Sequence, residues 1–284
     1  MTTWGLNHGD EIVPGRHAVL SLGGGHRYEA YLAWDDHLRA LVVAKLLRPA
    51  RASDPDALRA LAGEAELLRT LAHPLLVRSF GATLEGERPH LVLEHIEGPR
   101  LSTLVRRYGM ALEQILTLGL NLSSVLCYLR AERVVHLDVK PRNIIMDGAP
   151  RLIDLSIARR AHQLGQIRSP VGTDAYMAPE QCDPARFTAI GPAADVWGLG
   201  VTLYEASTKR RPFPAGRRDA DGAARFPQLA LDPAPLPAKV PGPLADLIMA
   251  CLAPDPSARP LPAQLFEAFD ELASRTGPVR ISLI

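Results

Sequence analysis

The chemistry of this sequence gathers in the run Val135-His136-Leu137-Asp138-Val139-Lys140-Pro141-Arg142-Asn143-Ile144-Ile145-Met146. Between strand-like apolar flanks, Asp138, Lys140 and Asn143 supply a carboxylate, an ammonium and an amide. Arg151-Leu152-Ile153-Asp154-Leu155-Ser156 follows, and its carboxylate ends a short apolar run. Asp138 can take a proton from an attacking hydroxyl. Asn143 and Asp154 offer the oxygen donors that Mg²⁺ prefers, and Lys140 can offset charge on a phosphoryl group in transit. Each residue alone could be a turn residue or a helix cap. Their order, after a glycine run and a lysine, singles them out.

That glycine run is Leu22-Gly23-Gly24-Gly25, followed by Tyr28-Glu29-Ala30-Tyr31-Leu32-Ala33. Glycines in a hairpin let the backbone close on phosphates and aim N–H groups at them. The lysine is Lys45, inside Val42-Val43-Ala44-Lys45-Leu46-Leu47. In so apolar a run it must snorkel outward or meet an anion. Glu64 is the natural partner, since Leu61 and Leu68 place its carboxylate on the apolar face of a helix.

The elements that must position these groups follow from pattern. His17–Leu22, Tyr28–Trp34 and Arg39–Leu47 read as strands joined into two hairpins, with turns at the glycine run and at Asp35-Asp36. A helix opens at Ser53 or Asp54, with Pro55 in its first turn, and runs to about Ala72. Val77–Thr83 and His90–Leu93 read as two more strands, and Glu94–Arg100 as a connector. Helical spacing then dominates, over Leu101–Tyr108, Leu112–Arg130, Pro192–Thr208, Leu244–Leu252 and Pro262–Arg275. Lys209–Pro243 shows no period and reads as an irregular surface loop. A β-rich unit before a helical one implies two lobes with a cleft between them.

Composition agrees with a globular protein. Of 284 residues, 47% are hydrophobic and 22% charged, and 32 Lys+Arg against 31 Asp+Glu leave +1. This excludes a disordered tail, a collagen-like rod and a supercharged nucleic-acid binder, so anion recognition must be local. Cys127, Cys182 and Cys251 form no C-x-x-C pair, and buried thiols in a reducing cytoplasm are expected. Met1–Asp10 lacks the pattern of a signal peptide. Ile115–Leu129 is uncharged but shorter than the roughly 20 residues of a membrane span, so it reads as a buried helix.

From Val13 to Leu272 these residues resemble the Hanks-type, eukaryotic-like serine/threonine protein kinases of bacteria. The resemblance implies a bilobal α+β fold: a β-rich N-lobe with one helix over 13–93, a hinge at 94–98, an α-helical C-lobe over 99–276 and a short tail at 277–284. It implies ATP as co-substrate, Mg²⁺ or Mn²⁺ as the metal, and a protein Ser or Thr as acceptor. Gly23, Gly24 and Gly25 look like the glycine-rich loop, and Lys45 with Glu64 like the phosphate-holding lysine and its helix partner. Leu22, Ala30, Val43, Leu93, Glu94, His95 and Ile145 would surround adenine. Asp138 and Lys140 match the catalytic loop, and Asn143 and Asp154 the metal ligands. Gly172-Thr173-x-x-Tyr176-Met177-Ala178-Pro179-Glu180 matches the end of the activation segment. Lys140 together with Thr173 follows the pattern for Ser/Thr rather than Tyr acceptors. Asp195, Glu180, Arg259 and His136 read as architectural.

Five positions depart from the family pattern. Tyr28 replaces the third glycine, which stiffens the loop tip and sets a ring where it can crowd a nucleotide; a side chain directed outward would cost little. Ala30 and Val43 exchange the usual large and small residues above adenine, which conserves volume. Leu137 replaces the arginine that grips a phosphorylated loop (a non-RD pattern), so little dependence on phosphorylation of Ser169 or Thr173 is expected. Ser156 replaces glycine in the metal-binding turn, which makes a flip to an inactive conformer harder. A pseudokinase and a small-molecule phosphotransferase are the competing readings.

Overall fold

A computed structural model describes residues 2–187 and 190–276; the expected tail at 277–284 lies outside them. The chain divides into one unit of Met1–Glu97 with Asp154–Ser156, and a second of Gly98–Ile153 with Ile157–Ile284.

In the first unit, β1 (Glu11–Val13), β2 (Arg16–Gly24), β3 (Tyr28–Asp35), β4 (Ala40–Leu47), β5 (Ser79–Thr83) and β6 (His90–Glu94) form one antiparallel sheet, ordered β1-β2-β3-β4-β6-β5. The Asp35-Asp36 turn is built by a side chain: Asp35 Oδ1 accepts from the N–H groups of His37 (3.0 Å) and Leu38 (2.9 Å), while Oδ2 meets Arg16 Nε at 2.6 Å. The period of two sends Tyr31, Ala33, Val42, Ala44 and Leu46 into the core, and Ala30, Leu32, Val43 and Lys45 to the opposite face.

Sequence reading gave the first ten residues no role in the fold. Two of them, Trp4 and Leu6, pack on the core of the sheet, and Trp4 Nε1 donates to Leu47 O at 2.8 Å. Helix α1 (Pro55–Thr70) starts at Asp54, whose carboxylate accepts from Asp56 N, a cap worth about 1 kcal/mol. Its buried stripe is Ala57, Leu61, Glu64, Leu67 and Leu68.

The second unit opens with α2 (Leu101–Arg107) and α3 (Leu112–Ala131). Two short ladders follow: β7 (Val134–Val135) pairs with β10 (Arg159–Arg160), and β8 (Ile144–Asp147) with β9 (Ala149–Leu152). Next come α4 (Ala161–Leu164), α5 (Pro179–Cys182), α6 (Ala193–Thr208), α7 (Gly222–Arg225), α8 (Gly242–Cys251) and α9 (Pro262–Thr276).

By length and apolarity α3 is long enough to cross a membrane. In the fold it is a core helix that packs on α9, with Leu118, Leu122, Val125 and Leu129 buried. Helix α6 is buried nearly all round, as its mostly apolar sequence demands. Gly198 on α6 lets the backbone at Val139 approach, since a Cβ there would stand 2.8 Å from Val139 O.

The expectation for Lys209–Pro243 needs correction. The segment contains α7 and a 3₁₀ turn at Pro227–Leu229, and it buries Phe226 and Gln228. Too short to show a helical period, these turns are held by tertiary hydrogen bonds described below.

Candidate active site

Lys45 leaves the core face of β4 because its neighbours Ala44 and Leu46 take it. Its ammonium meets Glu64 Oε1 at 2.8 Å and Oε2 at 2.9 Å, and Asp154 Oδ1 at 2.8 Å. The three N–H bonds of the ammonium thus meet three carboxylate oxygens. Burial opposes its charge, yet Glu64 and Asp154 outweigh that and hold it above the ordinary lysine value. Burial raises Glu64, and Lys45 offsets part of the rise. Asp154 sits at φ +69°, a left-handed conformation for a non-glycine residue, and Leu155 beside it is fully buried.

Tyr28 points inward. The residue is buried, its ring centroid lies 4.6 Å from Lys45 Nζ, and Arg27 flanks it at 6.0 Å. The cross-strand register Tyr28↔Leu47 sets this direction. In the glycine run, Gly24 is the position with no room for a side chain, since a Cβ would strike the carbonyl of Tyr28. Gly23 takes φ +82°, and Gly25 N donates to Tyr28 O at 2.9 Å. Leu22 at the head of the run is exposed. Ala30 pairs with Lys45, and Val43 with Leu32 and Leu93, so Ala30 and Val43 lie diagonally on one face. Glu94 N donates to Arg78 O, and His95 follows it, half-buried.

In the second unit, Asp195 at the start of α6 is buried and accepts from the N–H groups of His136 and Leu137, both at 2.7 Å. Burial raises its carboxyl, with His136 and the two N–H groups pulling the other way. These bonds hold Leu137 at φ +67°. The His136 ring is buried, and its Nδ1 accepts from Asp138 N at 3.3 Å. Asp138 is thereby presented to three partners. Lys140 Nζ stands 2.5 Å from Oδ2, Asn143 Nδ2 donates to Oδ2 at 3.0 Å, and Thr173 Oγ1 donates to Oδ1 at 2.7 Å. Lys140 Nζ also reaches Thr173 Oγ1 at 2.5 Å. Ile145, on β8, pairs with Arg151.

So Lys45, Glu64 and Asp154 meet within the first unit, and Asp138, Lys140 and Asn143 within the second. The architectural expectations also hold: Glu180 and Arg259 form a buried bidentate pair at 2.6 and 2.9 Å. Sequence reasoning missed Gln181 and Gln228, whose contacts carry no periodic signal. Gln228 Nε2 donates to Asp174 O (2.8 Å) and Met177 O (3.0 Å), and Arg225 pairs with Asp174. Tyr176 donates to Glu205 at 2.6 Å, and burial raises its phenol.

A hydroxyl beside a carboxylate and an ammonium in one unit, and a lysine clamped by two carboxylates in the other, are groups of the kind that phosphoryl transfer uses. The sequence model for the protein kinase domain matches residues 17–268. The chain belongs to the protein kinase family, with its two-lobed α+β fold. It is 34% identical over 244 residues to the serine/threonine-protein kinase PkaA of Streptomyces coelicolor, covering 83% of this chain and 44% of that protein. It is 33% identical to the probable serine/threonine-protein kinase PkwA of Thermomonospora curvata, over 92% of this chain and 34% of the relative. To the serine/threonine-protein kinase PknB of Mycobacterium tuberculosis the figures are 31%, 84% and 39%. The chain spans less than half the length of these relatives.

Proposed function

We propose that this chain is an ATP-dependent protein kinase that phosphorylates serine or threonine hydroxyls of proteins. The observation that carries the reading is the Thr173 hydroxyl, which donates to Asp138 while Lys140 reaches both. A substrate hydroxyl in the same relation to Asp138 would give up its proton as its oxygen bonds to the γ-phosphorus. The bond to the β-phosphate oxygen breaks, and ADP leaves. Lys140 offsets charge on the moving group, and Lys45, aligned by Glu64, positions the phosphates. Leu22, Gly23, Gly24, Gly25, Ala30, Val43, Leu93, Glu94, His95 and Ile145 are read as the nucleotide's surroundings.

Asp154 and Asn143 would hold Mg²⁺. Their oxygens suit a hard cation, and the Asn143 amide, donating through Nδ2, leaves Oδ1 as its ligating atom. When bound, the cation supplies charge neutralisation at the phosphates. No cluster of three metal-type side chains occurs among the described residues, so phosphate oxygens and water would complete its shell. Turnover of about 1–100 s⁻¹, the range general to kinases, is expected.

The test is transfer of radiolabelled γ-phosphate from ATP to protein, with wild type beside Asp138→Asn. Label on protein from wild type only supports the reading. Equal label from both sinks it, and label on a metabolite but not on protein would mark a small-molecule phosphotransferase.

A further inference from the structure

Gln181 follows the Ala178-Pro179-Glu180 motif and is 2% exposed. Its Nε2 donates to Leu137 O at 2.8 Å and to Val171 O at 2.8 Å, and its Oε1 accepts from Ala178 N at 3.1 Å. One neutral amide therefore ties three backbone segments together. Leu137 immediately precedes Asp138, and Val171 stands two residues before Thr173. The Leu137 residue is gripped on both sides, with its N–H on Asp195 and its carbonyl on Gln181. Gly172, at φ +133°, completes the cradle: a Cβ there would lie 2.7 Å from Met177 Cγ, and 3.1 Å from both Gln181 Nε2 and Leu137 O.

We propose that Gln181 is a positioning residue that docks the 171–178 segment on the Leu137–Asp138 peptide and so sets Thr173 and Asp138 in register. This rests on the kinase reading and adds to it how the site is held assembled. The tie uses no charge and no modified hydroxyl. It assembles the segment by folding alone, and salt does not screen it.

Glu at this position tests the idea, because it keeps the shape and the acceptor for Ala178 N but offers no donor to either carbonyl when ionised. A protonated Glu regains one O–H donor. For Gln181→Glu we expect kcat on a peptide substrate to fall at least 10-fold at pH 7.5, with KM for ATP within twofold. That deficit should shrink as pH is lowered toward 5.5, relative to wild type at each pH. Gly172→Ala, which crowds the same cradle, should also lower kcat. Hydrogen exchange at the amides of Val171–Thr173 should speed up in both variants while exchange in α6 stays unchanged.

Unchanged kcat and unchanged exchange in folded Gln181→Glu overturn the proposal. So does a loss that is independent of pH and spread equally over α6. If wild type itself transfers no phosphate, the kinase reading fails, while the exchange measurement still decides whether Gln181 is the tie.

Discussion

Arg259 uses every N–H it has. Nε donates to Ala253 O (2.8 Å), Nη1 to Glu180 Oε1 (2.6 Å) and Ala193 O (2.9 Å), and Nη2 to Glu180 Oε2 (2.9 Å) and Pro254 O (3.2 Å). The guanidinium carbon lies 5.0 Å from the centre of the Trp197 ring, and neither side chain of the pair exceeds 1% exposure. Arg259→Met keeps the stem but strands a buried carboxylate, which costs about 3–5 kcal/mol. Glu180→Gln leaves the guanidinium its three carbonyls and an amide oxygen, so the loss is near that of one charged hydrogen bond, about 1.5–3 kcal/mol.

The double variant removes the stranded charge. It should therefore be more stable than Arg259→Met alone, by about 1 kcal/mol or more on the coupling seen for contacting residues. Against a total stability of roughly 5–15 kcal/mol, Arg259→Met removes a large share. The assay is urea unfolding followed by Trp197 fluorescence, with Trp4 and Trp34, the other two tryptophans of three, replaced by Phe. Equal costs for the two single variants, summing in the double, would refute the reasoning.

Further outcomes are expected at the site and the sheet. Thr173→Val removes the hydroxyl between Asp138 and Lys140 and should lower kcat about 10–100-fold, matching a charged hydrogen bond, while Thr173→Ser retains most activity in steady-state assays. Ala30→Val overfills the face shared with Val43 and should weaken ATP binding in calorimetry; unchanged or tighter binding refutes the volume compensation. Phosphatase treatment should leave turnover within twofold, because Leu137 offers no charge to a phosphate; abolished turnover refutes this. Burial pushes the Asp35 carboxyl up, but Leu38 N–H and Arg16 pull it below its usual 3.8. A depressed value gives stability that is present above 3.8 and lost as pH falls through the folded value. The gap in stability between wild type and Asp35→Asn should thus be full at neutral pH and close in acid, as read by urea midpoints.

The Lys45–Glu64 pair was legible because helical spacing alone puts Glu64 on the buried stripe of α1, and strand alternation puts Lys45 off the core face. Asp138, Lys140 and Asn143 were legible as a local cluster whose groups meet over a few residues. What sequence could not carry was direction and distance. The glycine run suggests a turn throughout, yet β2 continues through Gly24 and the chain reverses only after it. The inward ring of Tyr28 depends on pairing with Leu47, across a strand. Trp4, Gln181 and Gln228 act through partners far along the chain and obey no period, so only the folded backbone discloses them.

The clamps on Lys45 and Lys140 make amine labelling an indirect reporter of the site. The chain carries only four lysines, and the other two, Lys209 and Lys239, are exposed. Acylation needs an uncharged amine with room around it, and Lys45 meets neither condition while Glu64 and Asp154 grip it. Among the lysines, mass spectrometry after mild acetylation at neutral pH should find label at Lys209 and Lys239 alone. Label arriving at Lys45 would then time the opening of that cluster in the intact protein, without any assay of turnover.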